Sequence, residues 1–316
     1  MGIELEFEER AIRSFPAGAR ALLPAEARSL RQLESRITGR LEAGGFEEVI
    51  LPVVDYVDPY REFTDARALR QAYRFTDREG DLVAVRSDFT PMLARTLAPV
   101  LSQLALPLRL FYRGDVVRAD ALALGRTRES FQIGAELVGA GGAEIDAAVI
   151  ALAVESVMDC GIRPEVVLGD ASVLDAILAP VERELRREIA TLIRSRRWAA
   201  LERFRNAIEP ATLDLLERAV RGELTLDALG SFQDGALAER LSNVVERLEK
   251  LEVGVAVDDL LDTSSYYTGI RFRLFAGGGR TLLGGGGRYD ALYGMFGSDA
   301  PAVGFSLNLD ALEACR

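Results

Sequence analysis

A line of polar residues at every second position runs through the segment 126–136. In a strand, the following residues would share one face: Arg126, Arg128, Ser130, Gln132, Gly134 and Glu136. The opposite, packing face would carry Phe131, Ile133 and Leu137. Arginines at one end suit an anionic group, whereas a carboxylate at the other end suits an amine or a ring N–H. The pattern predicts a ligand pocket on a sheet, in which Gly134 leaves room, and a solvated sheet face is the alternative.

Four consecutive glycines at 284–287 stand directly before Arg288, Tyr289 and Asp290. Such a run costs backbone entropy on folding, so a nearby feature should need a bare backbone. A Walker loop requires a Lys and a Ser or Thr after its last glycine, and a dinucleotide fingerprint requires a strand, a glycine turn and a helix early in a βαβ unit. Neither pattern matches. The remaining interpretations are a bend, which glycine clusters commonly mark, and a strand floor beside a small ligand.

The composition excludes several kinds of chemistry. The chain of 316 residues contains no histidine, which removes Ser-His-Asp and Cys-His catalysis. Cys160 and Cys315 lack metal-ligand spacing, so we expect neither a zinc site nor a disulfide. The formal charge of -11 opposes a role in wrapping nucleic acid. The first ten residues are acidic and no long apolar run occurs, so we expect a cytoplasmic protein without a membrane span.

The hydrophobic spacing predicts helices at 24–43, 90–104, 143–160, in the segment after a strand at 164–170, and at the end of 301–316. Further strands are expected at 47–57, 72–77, 81–86, 108–118, 126–138, 253–259, 265–277, 281–287 and in the first half of 301–316. The strands at 72–77 and 81–86 should form a hairpin. Because strands outnumber the helices between them, we expect an α+β fold whose mainly antiparallel sheet is flanked by helices.

The segment 176–250 differs from the rest of the chain. It alternates charged residues with Leu and Ala and contains no strand pattern. We therefore predict a discontinuous core at 1–175 and 251–316, interrupted by a helical insertion at 176–250.

Five segments resemble, in the right order, signatures of class II aminoacyl-tRNA synthetases in their histidyl form. In this chain, "RLFYRGDVVRADALALGRTRESFQIGAELVG" resembles motif 2, and its Arg118 and Glu136 have that family's spacing. The stretch "VRSDFTPMLAR" resembles the segment just upstream of motif 2, and "YYTG" resembles the second histidine signature. The stretches "GGRYDAL" and "PAVGFSLNLDAL" together resemble motif 3, and "FPAGARALLPAEA" resembles the approach to motif 1. The resemblance implies a class II synthetase-like core.

Two positions depart from the histidyl enzyme, which has arginines where this sequence has Asp262 and Ala311. Cations at such positions stabilise a polyphosphate and a developing charge, so the departures imply loss of aminoacylation. The sequence also ends shortly after motif 3, which leads us to expect no anticodon-binding domain and no tRNA partner. In these respects it resembles the regulatory subunits of ATP phosphoribosyltransferase, a family of histidyl-synthetase-like paralogues.

That resemblance implies a non-catalytic subunit without a cofactor. It would assemble with the short-form catalytic subunit of ATP phosphoribosyltransferase for the first step of histidine biosynthesis, with histidine as the feedback effector. A dimer within a hetero-oligomer is expected. Two rival hypotheses are a freestanding amino-acid adenylating enzyme, for which Arg271, Arg273 or Arg280 would replace the lost arginines, and a non-catalytic scaffold that binds no amino acid.

The resemblance also implies a histidine pocket, residue by residue. Glu136 and Tyr267 would face the imidazole, Asp88, Thr90 and Gln132 would take the ammonium group, Arg118 would lie near the carboxylate, and Tyr289 would close the pocket. Arg271 is a further candidate for the carboxylate end.

Two of these assignments have alternatives. Adjacent residues on a strand point to opposite faces, so at most one of Tyr266 and Tyr267 should enter the pocket, and the resemblance favours Tyr267. Asp88 precedes a helix that begins near Thr90, and capping that helix is the commoner role for an Asp there. Both roles of Asp88 are compatible.

Overall fold

A computed structural model describes residues 15–16, 18–61, 71–119, 127–194, 197–221, 223, 236–257 and 266–316. Arg126 and Asp262 lie outside the described residues, and so do parts of the predicted insertion and of the strands predicted at 253–259 and 265–277.

The described residues form eleven strands and eight α-helices. The strands are β1 Glu47–Glu48, β2 Val54–Tyr56, β3 Arg74–Thr76, β4 Leu82–Val85, β5 Leu108–Val117, β6 Glu129–Val138, β7 Glu165–Asp170, β8 Gly254–Val257, β9 Ile270–Ala276, β10 Thr281–Arg288 and β11 Ala302–Asn308. The helices are α1 Pro24–Ala43, α2 Thr90–Leu97, α3 Ala143–Met158, α4 Ser172–Leu178, α5 Arg183–Arg194, α6 Pro210–Val220, α7 Ala236–Glu249 and α8 Leu309–Ala314.

Eight strands form one large sheet in the order β1-β5-β6-β11-β10-β9-β7-β8. Only the pairs β1 with β5 and β7 with β8 are parallel within the described residues, and the other pairs are antiparallel. The remaining strands form a small antiparallel sheet in the order β2-β4-β3, which includes the predicted hairpin. The predicted α+β fold with a mainly antiparallel sheet flanked by helices is confirmed.

Two predicted strands differ from the structure. The segment 47–57 was expected as one strand, but it divides into β1 in the large sheet and β2 in the small one. Pro52 lies between them and has no N–H to donate to a ladder, which explains the break. The strand expected at 265–277 begins only at Ile270, so Tyr266 and Tyr267 precede it. That second difference changes the geometry of the site.

The described part of 176–250 is helical. Its apolar residues belong to the same buried cluster as those of the sheet: Leu241 and Val244 of α7 share it with Ile150 of α3 and Leu274 of β9. A single continuous core therefore holds the predicted insertion against the sheet. Whether 176–250 behaves as a separate unit stays a prediction.

Four neighbouring strands, β5, β6, β11 and β10, position the site. Tyr112 of β5 lies opposite Gly134 of β6, and Glu136 of β6 lies opposite Gly304 of β11. Side chains that face each other across antiparallel strands share one face of the sheet. Helix α2 begins at Thr90 over that face, so its first turn meets the carboxylate of Glu136.

Candidate functional site

The carboxylate of Glu136 is the centre of a buried hydrogen-bond cluster. Thr90 Oγ1 donates to Glu136 Oε1 at 2.7 Å, and Tyr112 OH donates to the same oxygen at 3.1 Å. The hydroxyl of Tyr289 donates to Glu136 Oε2. Glu136 is 1% exposed, and a Cβ at Gly304 would overlap its carboxylate. The strand pairing thus leaves space for a buried acid and surrounds it with three hydroxyl donors.

Tyr112 corrects the role predicted for Gly134. We expected Gly134 to leave room for a ligand between Gln132 and Glu136, but a Cβ at that position would overlap the Tyr112 ring. The ring is 1% exposed and stacks on Phe89 with centroids 4.2 Å apart. The space opposite Gly134 is therefore filled by protein. A large aromatic residue facing a glycine across a strand pair is the signal that could have identified Tyr112.

A wall of three tyrosines stands beside this cluster. The Tyr266 and Tyr267 ring centroids are 4.9 Å apart, and Tyr266 meets Tyr289 edge to face at 5.9 Å. Both Tyr266 and Tyr267 line the same cavity. The prediction that only one of them enters was wrong, because strand alternation does not apply to residues that lie in the turn before β9.

The tyrosine wall bounds a small polar cavity of about 170 Å³. At about 30 Å³ per water molecule, this volume suits a small metabolite. Its lining includes six of the seven predicted ligand residues: Asp88, Thr90, Arg118, Gln132, Tyr267 and Tyr289. The seventh, Glu136, lies directly behind Thr90 and Tyr289 through its hydrogen bonds. Sequence reasoning missed Tyr266 and Ser306, which also line the cavity.

Asp88 lines the cavity and also contacts the start of helix α2, so neither of the roles that the sequence left open is ruled out by its position. Its Oδ1 accepts a hydrogen bond from the N–H of Thr90, the first residue of α2, at 3.1 Å, and its other oxygen accepts from Tyr266 OH at 3.4 Å. The N-cap residue itself is Phe89, whose side chain makes no capping hydrogen bond. Burial raises the pKa of Asp88 above its ordinary value, and the positive charge of Arg118 opposes that rise. Arg118 in turn donates from Nε to the Ser87 carbonyl oxygen at 3.1 Å. A cation and an anion thus share one wall of the cavity.

Burial also raises the pKa of Glu136, to about 7, and the hydroxyls of Tyr289, Thr90 and Tyr112 limit the rise because they stabilise the ionised carboxylate. The nearby charge of Asp88 acts in the opposite direction and raises it. The inner end of the cavity therefore offers carboxyl oxygens of Asp88 and Glu136 beside the guanidinium of Arg118. Such a site favours a cationic or hydrogen-bond-donating ligand.

A second cavity of about 290 Å³ adjoins the first and shares Arg118, Gln132 and Tyr267 with it. Its lining adds Arg271 and Arg273, which alternate on β9 and therefore project from one face of the sheet. We call it the arginine-lined cavity. Burial raises the pKa of Tyr267, and the positive charge of Arg271 opposes that rise to a small extent. The predicted approach of Arg271 to the site agrees with this placement.

The glycine run forms strand β10, which lies between β9 and β11. Side chains are excluded there by neighbouring backbone, since a Cβ at Gly286 would overlap the carbonyl oxygen of Gly304. Gly284, Gly285 and Gly286 line the arginine-lined cavity, and Gly285 also lines the small polar cavity. The interpretation as a strand floor is supported, and the bend interpretation is not, because β10 pairs with both neighbours throughout the run.

The remaining predicted positions lie at the edge of the site or outside the described residues. Ala311 lies in the first turn of α8, partly buried against the main core, and donates its N–H to Asn308 Oδ1 at 3.1 Å. Arg128 places its guanidinium 6.0 Å from the Tyr73 ring centroid and does not line either cavity. Arg280 belongs to the turn between β9 and β10, where it donates to the Gly277 carbonyl oxygen at 2.7 Å.

Within the described ranges, no three or more acidic or cysteine side chains cluster as metal ligands. No helix in the described part of the chain combines the length and hydropathy that a membrane span requires.

Comparison with known proteins gives consistent matches over the length of the chain. The family model described as histidyl-tRNA synthetase matches residues 18–312. An ATP phosphoribosyltransferase regulatory subunit from Moorella thermoacetica is 35% identical over 316 residues, covering 95% of this chain and 81% of the relative. A regulatory subunit from Anaeromyxobacter sp. (strain K) is 33% identical, covering 94% of this chain and 89% of the relative.

Solved structures show the same fold. A Bacillus halodurans protein described as an ATP phosphoribosyltransferase regulatory subunit/histidyl-tRNA synthetase superposes with a TM-score of 0.81 at 25% identity, covering 96% of this chain and 84% of that one. Apo histidyl-tRNA synthetase from S. aureus superposes with a TM-score of 0.65 at 18% identity, covering 96% of this chain and 69% of that one, which is a likeness of fold.

The fold and the site define a class II, histidyl-tRNA synthetase-like protein with a small polar pocket on its antiparallel sheet. Within that class, the chain belongs to the family of ATP phosphoribosyltransferase regulatory subunits.

Proposed function

We propose that this chain is a regulatory subunit that binds histidine in the small polar cavity and acts with the catalytic subunit of ATP phosphoribosyltransferase, in the first step of histidine biosynthesis. The observation on which the proposal rests is the buried carboxylate of Glu136, held by three hydroxyls at the end of a cavity of about 170 Å³. The reaction named in the proposal is taken from the family to which the chain belongs. A cytoplasmic location stays a prediction.

The charges of the cavity suggest how histidine lies in it. The ammonium group is best placed near Asp88 and Gln132, because Asp88 supplies a negative charge and Gln132 supplies an acceptor. The carboxylate then lies toward Arg118, at the boundary with the arginine-lined cavity. The imidazole points toward Tyr267 and the hydroxyls around Glu136. There a ring N–H can replace the Tyr289 hydroxyl as the hydrogen-bond donor to Glu136 Oε2.

We further propose that the chain does not activate an amino acid. Ala311, where the histidyl enzyme has an arginine, supplies no charge next to Asn308, which lines the arginine-lined cavity, and a polyphosphate needs several cations. The rival hypothesis of a freestanding adenylating enzyme retains one supporting observation, since Arg271 and Arg273 line that cavity. An assay of histidine-dependent exchange of pyrophosphate into ATP separates the two. We expect no exchange above background, and measurable exchange would favour the rival.

The partner proposal includes self-association through the small sheet. Tyr56 of β2 and Phe75 of β3 both lie opposite Val83 of β4, so their side chains share one face. Tyr56 is 48% exposed, Phe75 is 46% exposed, and the preceding Ile50 is 88% exposed. Exposed large apolar side chains side by side on one sheet face, as Tyr56 and Phe75 are, suit an association surface. Light scattering should give a dimer mass for the native chain and a reduced mass for Tyr56→Asp.

The function is tested most directly by reconstitution. The chain is mixed with a short-form catalytic subunit, the complex is purified, and formation of phosphoribosyl-ATP is measured with and without histidine. We expect the complex to form, the catalytic subunit to be active only within it, and histidine to inhibit. Failure to co-purify, with the catalytic subunit unaffected, would favour the scaffold hypothesis, which also predicts no histidine binding by calorimetry.

A further inference from the structure

A buried ion pair lies directly behind the tyrosine wall. Arg288 is the residue before Tyr289, and its Nε donates to Asp146 Oδ1 at 2.8 Å while its Nη1 donates to Asp290 Oδ1 at 2.7 Å. The Arg288 side chain is 9% exposed and that of Asp146 is 2% exposed. Asp146 belongs to the first turn of α3. The guanidinium therefore fastens the end of β10 to that helix.

The same arginine supports the turn that bears Tyr266 and Tyr267. The Thr268 N–H donates to the Arg288 carbonyl oxygen at 2.8 Å, and Thr268 Oγ1 accepts from the Asp290 N–H at 2.9 Å. Gly269 packs against the Arg288 stem, because a Cβ there would lie 3.4 Å from Arg288 Cδ. Arg288 therefore contacts the turn that bears Tyr266 and Tyr267 and directly precedes Tyr289, the third tyrosine of the wall.

A second ion pair extends this support to helix α7. The Gly269 carbonyl oxygen accepts from the Ala171 N–H at 2.9 Å. The preceding residue, Asp170, is 0% exposed and accepts from the Ser172 N–H at 2.8 Å and from Arg240 Nη2 at 2.9 Å. Arg240 belongs to α7, which packs against α3. Two hydrogen bonds, joined by the peptide bond between Asp170 and Ala171, therefore connect α7 and the end of β7 to the tyrosine turn.

We propose that Arg288 and the Arg240–Asp170 pair are positioning elements of the small polar cavity, so that the placement of helix α7 sets how tightly the tyrosine wall holds its ligand. Separating an ion pair that contains a buried charge costs much free energy, because the buried group is left without a partner, and this cost makes such a network stiff. A movement of α7 consequently moves the Ala171 and Gly269 backbone instead of being absorbed locally. The choice of histidine as the probe rests on the function proposed above; the mechanical connection does not.

Arg240 is the member of the pair to change, because its side chain is 37% exposed whereas Asp170 is fully buried. Removing it leaves the Asp170 carboxylate without its cation, so the melting temperature is measured together with binding. The variant is Arg240→Met, and the matched control is Arg247→Met, an exposed arginine on the same helix that makes no ion pair within the described residues. Calorimetry with L-histidine on the full chain should show about fivefold weaker binding for Arg240→Met, the lower end of typical coupling between sites. Arg247→Met should bind as the native chain does, and Arg240→Lys should recover most of the affinity.

Hydrogen–deuterium exchange tests the connection without any ligand. In Arg240→Met, peptides that contain the Thr268 and Ala171 amides should exchange faster, whereas Arg247→Met should leave them unchanged. A lower melting temperature with unchanged exchange and unchanged histidine affinity would overturn the proposal, since it would show a merely structural role. If the native chain binds no histidine, the proposed function fails, and the exchange result alone decides whether α7 positions the tyrosine turn.

Discussion

The small polar cavity and the arginine-lined cavity share a wall but differ in how their charged groups are held. At the inner end of the first, Glu136 is 1% exposed and receives hydrogen bonds from Thr90, Tyr112 and Tyr289. In the second, Arg271 and Arg273 extend from β9 over a glycine floor. One is a preorganised network of neutral donors around a carboxylate, and the other is a broader cationic surface.

This difference separates recognition from activation. Discrimination of a small ligand depends on buried polar groups whose partners must be matched, because an unmatched group costs its full desolvation energy. Activation of a carboxylate with ATP needs cations aimed at the reacting phosphates. The buried network around Glu136 has the character of the first arrangement, and the arginine-lined cavity carries Arg271 and Arg273. The following predictions test whether ligand binding depends on the inner network alone.

The largest effect is expected for Glu136→Ala. Three buried hydroxyls lose a shared acceptor, and at about 1 kcal/mol for each unsatisfied group the free energy of unfolding should fall by about 3 kcal/mol. Histidine affinity should fall by about 1 to 3 kcal/mol, or roughly five- to a hundredfold, in calorimetry.

Arg273→Met is the matched control from the other cavity, and it should change histidine affinity less than Glu136→Ala does. Equal losses for the two variants would show that the cavities act as one site. Unchanged affinity in folded Glu136→Ala would place histidine elsewhere in the protein.

A somewhat smaller loss is expected for Gly304→Ala, because the added methyl group would overlap the Glu136 carboxylate and force it from its hydroxyl partners. Overpacking of this kind costs about 2 kcal/mol of unfolding free energy. Histidine binding should weaken with it. The control is Gly254→Ala on β8, where a Cβ meets nothing within 4 Å, and its melting temperature should stay close to that of the native chain.

Stability should also depend on pH through Glu136. Burial raises its pKa to about 7 from the ordinary value of 4.5, so the folded protein holds the proton where the unfolded chain has released it. This stabilisation is complete below about pH 4.5 and is lost as the pH rises through about 7. Between about pH 5 and about pH 7 the native chain should lose about 2 kcal/mol relative to Glu136→Gln.

Chemical denaturation at several pH values measures this change. The free energy of unfolding of Glu136→Gln is subtracted at each pH, because burial also raises the pKa of Asp88 and this second group contributes to the pH dependence of both proteins. Parallel pH profiles for the two proteins would mean that the folded state keeps Glu136 ionised across the range, with its three hydroxyl bonds outweighing burial.

Much of this site follows from the sequence, and the exceptions have physical causes. The period of two correctly assigned Gln132 and Glu136 to one face of β6, because strands of ten residues obey it along their length. The same rule failed at Tyr266 and Tyr267, because a turn beside Thr268 has no fixed period. Tyr112 was missed since its contact with Glu136 depends on the register between two strands, which alternation within one strand does not specify.

The smallest effect is expected at the tyrosine that the alternation rule excluded. The Tyr266 hydroxyl reaches Asp88 Oδ2 at 3.4 Å, which is long for an O–H···O bond, so Tyr266→Phe should cost about 0.5 kcal/mol or roughly a twofold loss of histidine affinity. Tyr267→Phe is the matched comparison, because its ring packs at 4.9 Å from that of Tyr266 and Tyr267 also lines the arginine-lined cavity together with Arg271, which Tyr266 does not. We expect Tyr267→Phe to weaken binding more than Tyr266→Phe does. The reverse order would mean that the imidazole lies against Tyr266 and Asp88, and that the ammonium group occupies the end of the cavity next to Glu136.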